Sequence, residues 1–323
     1  MSESDNFTPE LTADGSFTFF SQEFGEAFHS HYGARQESFL KFVEPTQLAL
    51  KAKYKPMLRL LDVCYGLGYN TAAALQTIWS VNPNCCVEVI GLEINTAVPQ
   101  SAIAHRLFEN WDYEYTNILS QLAYEQKVRT NRLQATLLIG DARTTVQEVY
   151  GLGFQADAIF LDPFSPPQCP QLWTVEFIQQ LTLCLQNDGI LATYSCAAAV
   201  RTALLTAGLQ IGSTPPVGRR SPGTVAAHNL NGEVGSWGGR ELGRTITPSP
   251  LPYGKSLARL HPITPSFPRP LSQAEREHLL TRAAIPYRDP QLTDPAEVIL
   301  RRRQQEQQAS SVEPTSHWRK RWQ

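Results

Sequence analysis

Leu60-Leu61-Asp62-Val63-Cys64-Tyr65-Gly66-Leu67-Gly68-Tyr69-Asn70 decides the reading of this chain. An apolar run stops at a glycine-spaced turn, and a helical pattern follows from Thr71 to Trp79. Strand, glycine turn and helix make the nucleotide-binding corner of a doubly wound α/β sheet. Glycines let a backbone approach a ligand where a Cβ would collide. The spacing departs from the dinucleotide fingerprint, whose third glycine would stand where Thr71 stands. A tight turn that binds nothing reads the same way, so the corner alone does not decide function.

Three further strand ends extend the argument. Val87 to Leu92 reads as a buried strand ending at Glu93, where a carboxylate suits two ribose hydroxyls. Ala135 to Ile139 runs into Gly140-Asp141-Ala142-Arg143, and Ala156 to Leu161 runs into Asp162-Pro163-Phe164-Ser165-Pro166. In an open parallel sheet the carboxyl ends of the strands share one rim, and ligands bind there. One acid after a strand is ordinary helix-capping chemistry. Polar ends in series suit a single elongated ligand bearing ribose and adenine. The pattern resembles the class I S-adenosylmethionine-dependent methyltransferases. That resemblance implies an α/β, Rossmann-like, seven-strand and mostly parallel sheet. It also implies S-adenosylmethionine held by Asp62, Gly66, Gly68, Asn70, Glu93, Asp141 and Ala142.

Composition narrows the classes. The chain has 323 residues and is 42% hydrophobic, enough for a large core. No apolar run approaches the ~18 residues that span a bilayer. The polar, acidic start Met1 to Asn6 is no secretory signal, so a cytoplasmic protein without membrane attachment is expected. None of the six cysteines forms a C-x-x-C pair and the histidines do not cluster with them, which predicts free thiols and no metal. Charge is unevenly divided: 11 Lys and Arg against 21 Asp and Glu in residues 1–200, and 17 against 9 in residues 201–323. Such asymmetry predicts a polyanion-binding face, with Arg219, Arg220, the run Arg301-Arg302-Arg303 and Arg319-Lys320-Arg321 among its contributors. A solvated surface or a basic tail produces the same count.

Along the chain, residues 1–45 form an N-terminal extension with a small β element at Ser16-Phe17-Thr18-Phe19-Phe20, expected to pack on the catalytic domain. Glu37 to Leu50 is helical in pattern and interrupted by Pro45. Residues 46–228 alternate strands and helices as one domain. Gly189 to Ser195 is a fifth strand, Ala197 to Ala207 its helix, and Thr224 to His228 a last strand antiparallel to Leu209-Gln210-Ile211. Residues 229–271 are rich in Gly and Pro, and a loop of that length faces substrate or stands as an insertion. Residues 272–303 form a C-terminal helical segment, with Ser272 as N-cap and Glu275 completing a capping box. The polar residues 304–323 read as a disordered tail.

The chemistry turns on Leu161-Asp162-Pro163-Phe164-Ser165-Pro166. Prolines fix a turn that neither continues the strand nor starts a regular helix at once, which aims the Asp162 carboxylate and the Phe164 ring over the rim. A carboxylate there suits an amine acceptor, since an alkyl ammonium has no lone pair and must lose a proton before it attacks. Burial against Phe164 and Trp173 would disfavour the ammonium, and Asp162 could take its proton or orient the nitrogen. A turn-capping Asp162 and a core Trp173 are the plainer alternatives.

The block Phe160-Leu161-Asp162-Pro163-Phe164-Ser165-Pro166, followed by Pro170-Gln171-Leu172-Trp173-Thr174, resembles the F-L-D-G-F-A-P and N-P-D-x-W-T signature of the MnmC-type tRNA methyltransferases. Gly189 to Ser195, Gly218-Arg219-Arg220, Gly223-Thr224-Val225-Ala226 and the N-terminal Phe28-His29-Ser30 with Glu37 are similar to further segments of that family. The likeness spans residues 8–228, with an echo at Ile285-Pro286-Tyr287-Arg288-Asp289-Pro290. Pro163 replaces the usual glycine, and residues 229–271 have no counterpart. The resemblance implies methylation of the aminomethyl nitrogen of a flipped wobble uridine in tRNA. Asp162 would be the catalytic acid. Ser30, Glu37, Phe164, Trp173, Arg219 and Arg220 would bind substrate. Bacterial members of the family often carry a flavin-dependent oxidase domain; this chain has no second glycine fingerprint, so no flavin is expected. Two other functions fit less well. One is an amino-methyltransferase or aminopropyltransferase with another substrate, although a polycation would be repelled by the basic half. The other is an inactive RNA-binding module on the same fold.

Overall fold

The computed structural model describes residues 7–111, 115–217, 221–230 and 269–322. Four short strands open the chain: β1 (Glu10–Leu11), β2 (Phe17–Thr18), β3 (Phe20–Ser21) and β4 (Glu26–Ala27). They pair as two hairpins, β1 with β2 and β3 with β4. The Glu37 to Leu50 pattern resolves into a helix at Ala34–Glu37 that widens into a π-helix at Ser38–Val43, a turn around Pro45, and a helix at Leu48–Tyr54.

The main sheet contains β5 (Met57–Val63), β6 (Cys86–Glu93), β7 (Lys127–Arg129), β8 (Leu133–Ile139), β9 (Ala156–Leu161), β10 (Leu185–Thr193), β11 (Gln210–Ser213) and β12 (Thr224–Ala227). Their spatial order is β11-β12-β10-β9-β5-β6-β8-β7. The five strands β10, β9, β5, β6 and β8 run parallel, and β7, β12 and β11 add antiparallel edges. The expected pairing of the last strand against 209–211 is present, as Gln210↔Ala227 through Ser213↔Thr224. The sheet has eight strands rather than seven; the additional one is the three-residue β7, too short to carry a period in sequence.

Alternation along the strands explains why helices cover both faces. Leu58 and Leu60 of β5, with Ala158 and Phe160 of β9, pack against Phe42, Leu48 and the helix Tyr69–Val81. Leu61 and Val63, with Ile159 and Leu161, pack against the helices Ala142–Gly151, Val175–Leu183 and Ala198–Thr206. The chain leaves β5 in one direction and β9 in the other. The crevice at the carboxyl ends of these two neighbours is therefore the topological switch point, where doubly wound sheets bind ligands.

The C-terminal part corrects two expectations. Ser272 caps a helix with a complete Glu275 capping box, but that helix ends at His278 and is followed by a 3₁₀ turn at Arg282–Ala284. The stretch 304–323 is not a disordered tail: the described residues form helices at Ala296–Ala309 and Thr315–Trp322. Polar composition hid the reason, which is that few but specific side chains dock these helices. Trp318 stacks on His278 at 4.0 Å and donates to the Ala274 carbonyl, and Arg321 pairs with Glu313 and Glu277.

The basic residues are also more committed than their count suggests. Arg201 is buried against Glu275, Arg288 pairs with Glu176, and Arg302 pairs with Asp294. Arg303 donates to the carbonyls of Ile285 and Ala283 while covering the Tyr287 ring. Much of the positive charge of residues 201–323 therefore closes the fold. Arg219 and Arg220 lie outside the described residues, as does most of 229–271. Among the described residues, no helix is long and apolar enough to cross a membrane.

Candidate active site

The rim of the sheet opens into a cavity of about 650 Å³. Gly66, Glu93, Asp141, Ala142 and Asp162 line it from the strand ends, joined by Ser30, Glu37 and Phe164. The sequence had scattered these residues between positions 30 and 164; register brings the strand ends together, since Val63 sits beside Leu92 and Leu161, and Glu93 beside Ile139.

The glycine corner is built from the inside. Gly68 caps the helix Tyr69–Val81 at φ 87, and a Cβ there would stand 2.6 Å from the Tyr65 hydroxyl. Its glycine is thus demanded by the turn, and Gly68 lies behind the cavity wall rather than in it. Asp62 and Asn70 also stand behind the wall. Thr71, the residue in place of the third fingerprint glycine, donates through its hydroxyl to Asp62 Oδ2 at 2.7 Å. Asp62 is fully buried, and burial pushes its carboxyl up to about 7 against the Thr71 hydrogen bonds that pull it down. Asp62 Oδ1 and Asn70 Oδ1 are buried acceptors with no hydrogen-bond partner. Such atoms are costly unless something donates to them.

Glu93 turns inward on the corner. Its Oε2 accepts the Gly66 N–H at 2.7 Å, and Oε1 accepts the N–H groups of Ile94 and Asn95, each at 2.9 Å. Burial raises the Glu93 carboxyl above its ordinary value, opposed by those three backbone donors. Asp141 caps the next helix and accepts from Arg143 through backbone and guanidinium. Burial pushes Asp141 up, but the Arg143 contacts outweigh it and hold the carboxyl below the usual range. His29 lines the same cavity; burial drives it down to about 4, so it presents a neutral ring at physiological pH.

The segment after β9 is pinned at four consecutive residues. Asn70 Nδ2 donates to Asp162 Oδ2 at 2.8 Å. The Tyr194 hydroxyl donates to the Pro163 carbonyl and Trp173 Nε1 to the Phe164 carbonyl, both at 2.9 Å. Glu26 accepts the Ser165 N–H at 2.9 Å and also its hydroxyl. Trp173 was expected to wall the acceptor pocket. It is instead wholly buried beneath it and is absent from the lining, because its indole N–H is used to hold Phe164 from below. Glu26 and Phe24 line the cavity and were not singled out from sequence; Phe28 and Tyr194 line it too and had been quoted only within the family-like segments. Phe24 and Phe28 belong to an aromatic-rich N-terminal run, which is a signal of apolar packing but not of what it packs on.

The result is an acid-rich cleft with an aromatic wall: Glu23, Glu26, Glu37, Glu93, Asp141 and Asp162 line it together with Phe24, Phe28 and Phe164. It suits a cationic group next to a planar one. Among the described residues, no group of three or more His, Cys, Asp or Glu is placed to hold a metal ion.

Comparison with known proteins gives the arrangement a context. A family profile described as S-adenosyl-L-methionine-dependent methyltransferase matches residues 105–229. An uncharacterized protein of Methanocaldococcus jannaschii, MJ0670, is 30% identical over 227 residues, covering 68% of this chain and 59% of that protein. The bifunctional tRNA 5-methylaminomethyl-2-thiouridine biosynthesis protein MnmC of Ralstonia nicotianae is 29% identical over 234 residues, covering 68% of this chain. The chain spans only 34% of that relative's length. The crystal structure of MNMC2 from Aquifex aeolicus superposes with a TM-score of 0.72 and 31% identity, covering 94% of this chain and 86% of that one.

Proposed function

The chain belongs to the MnmC-type family of S-adenosyl-L-methionine-dependent methyltransferases, and from that premise we propose that it methylates the aminomethyl nitrogen of a 5-aminomethyl- or 5-aminomethyl-2-thiouridine at the wobble position of tRNA. The observation that carries this reading is the pinned Asp162–Ser165 segment. It sets a carboxylate and an aromatic face side by side at the switch point of the sheet. An aminomethyl group needs the first and a uracil ring the second.

The residues present fit the methyl donor. Gly66, Glu93, Asp141 and Ala142 would hold its nucleoside part at the strand ends, and the acid-rich lining suits its positive charges. When bound, the donor supplies an electrophilic methyl group on a sulfonium that departs as a neutral thioether. The chain's own work is then to orient the amine in line and to relieve it of a proton. Asp162 is the group for that task, its carboxylate held by Asn70. The acidic lining favours an amine acceptor, and the same feature would accept a free polyamine; the aromatic wall favours the nucleobase. A tRNA substrate supports a cytoplasmic location.

The direct test offers tRNA carrying wobble 5-aminomethyluridine to the purified protein with the donor, followed by mass spectrometry of the nucleosides. One added methyl on that nucleoside is the expected result; donor binding without transfer to tRNA, or transfer to free polyamines instead, would overturn it. Binding of the tRNA should also weaken steeply with salt, because neutralised phosphates release counterions.

Glu93 supplies a separate prediction. Glu93→Gln removes the charge and keeps one acceptor oxygen, enough for the Ile94 and Asn95 N–H groups but not for Gly66 as well, while the side chain keeps its size and the fold should persist. Hydrogen bonds to a charged acceptor contribute about 1.5–3 kcal/mol, so donor affinity should drop by roughly 10- to 100-fold. Calorimetric titration that returns a wild-type dissociation constant would take Glu93 out of the donor site.

A further inference from the structure

Phe24 lies between β3 and β4, at the tip of their hairpin. Its ring stacks on Phe164 with centroids 4.3 Å apart and planes 16° apart, while Phe28 meets the same ring nearly edge-on at 5.0 Å. Phe164 follows Asp162 by two residues, so Phe24 covers the flat face beside the acid. The same three rings also wall a second, adjoining cavity of about 210 Å³, whose far side includes Glu10, Ser21 and Asn95. A cavity of ~150 Å³ can hold a benzene molecule, so this one has room for a phenyl ring. Gly25, next to Phe24, has φ 65 and no atom within 4 Å of the place its Cβ would take. The other arm of the hairpin is fixed by Glu26 on Ser165. The ring can therefore leave Phe164 while the hairpin keeps its anchor.

We propose that Phe24 holds the place of the acceptor base on Phe164 and retracts into the second cavity when a flipped nucleobase arrives. The inference rests on the tRNA reading above and adds the residue that controls access to the acceptor slot. A near-parallel stack at this distance is the contact that an unpaired base makes with an aromatic side chain. Stacking of a base on an aromatic ring is stronger than stacking of two phenyl rings, so the base displaces Phe24 and water does not. Closed, the hairpin covers one face of Phe164; open, it presents that face to a planar ligand.

The sign of one measurement separates a competitor from a wall. An anticodon stem-loop RNA carrying wobble 5-aminomethyluridine is bound to wild type, Phe24→Ala and Phe24→Leu, followed by anisotropy, and the same RNA is then used as methyl acceptor. Losing the Phe24 stack should make both variants bind the RNA about two- to tenfold more tightly. The KM for RNA should fall to match, and by more than any change in kcat. Leucine fills the apolar space without a flat face, so it carries the test if the alanine variant folds poorly. Equal affinity would overturn the proposal, and weaker affinity would mean that Phe24 stacks on the base rather than giving way to it. If wild type transfers no methyl group to this RNA, the tRNA reading itself has failed and the gate falls with it. Transfer by wild type with unchanged variants defeats the gate alone.

Discussion

Asp162→Asn is expected to lower methyl transfer at neutral pH by about 10²- to 10⁴-fold, the range in which a positioned acid or base contributes, with donor affinity unchanged. The substitution is nearly isosteric. An asparagine oxygen can still accept from Asn70 Nδ2, which now holds Asp162 at 2.8 Å, so the side chain should stay where it is and only the charge is lost. Asp162→Ala is a blunter change, because it also strips the Asn70 amide of its acceptor inside a partly buried site. The pH profile carries the mechanistic content. An alkyl amine has a pKa near that of lysine, roughly 10, so its free-base fraction rises about tenfold per pH unit through the neutral range. If Asp162 takes or directs the proton, the Asn variant must wait for free amine from solution. Its single-turnover rate should then climb with pH more steeply than that of wild type. A turn-capping Asp162 predicts something else, since Asn serves as well as Asp in turns. Near-wild-type turnover of the Asn variant at neutral pH, or two parallel pH profiles, would remove Asp162 from the chemistry.

The rim of this site was legible in sequence for a physical reason. Central parallel strands are buried on both faces, so β5, β6 and β9 appear as apolar runs, and the first polar residue after each run marks the rim. Gly66, Glu93, Asp141 and Asp162 could be read that way because each is defined by its own strand. Phe24, Glu26 and Tyr194 could not. Glu26 reaches Ser165 across 139 residues, and nothing local to either residue announces the pairing. Trp173 was misread for the opposite reason. Its neighbourhood in sequence is the loop after β9, but its indole is turned under that loop by the Phe164 carbonyl. The last twenty residues misled through composition: a polar helix docked by one stacked tryptophan and a few ion pairs looks like a chain with no core to join. Charge counting has the same weakness. It sees an arginine and not its carboxylate, and Arg288, Arg302 and Arg321 each have one.

The largest effect on stability is expected at Asp289, in the segment that echoes the family outside the main domain. Asp289 is fully buried, and its Oδ2 accepts Arg143 Nη1 at 2.9 Å. Its Oδ1 accepts the N–H groups of Thr293 and Asp294, and its own N–H donates to Glu176 at 2.8 Å. Arg143 in turn spans from the cavity rim to this segment, pairing with Asp141 at 2.6 Å and donating to the Asp294 carbonyl. One ion pair therefore fastens the C-terminal segment to the helix that Asp141 caps. Breaking a buried pair by removing one partner costs about 3–5 kcal/mol, because the other charge stays behind uncompensated. Arg143 keeps Asp141, and its side chain is 13% exposed, so Asp289→Ala should fall toward the lower end, near 3 kcal/mol. Asp289→Asn retains an acceptor for the two backbone N–H groups and should cost less. Arg143 and Asp141 both line the cavity, so loosening this clasp should also weaken donor binding in the alanine variant. Denaturant midpoints of wild type and the two variants, with donor titrations alongside, make the comparison. A midpoint for Asp289→Ala within about 1 kcal/mol of wild type, the range of an exposed ion pair, would show that the pair adds little. The C-terminal helices would then be held by their own packing, and Arg143 would owe its position to Asp141 and the Asp294 carbonyl.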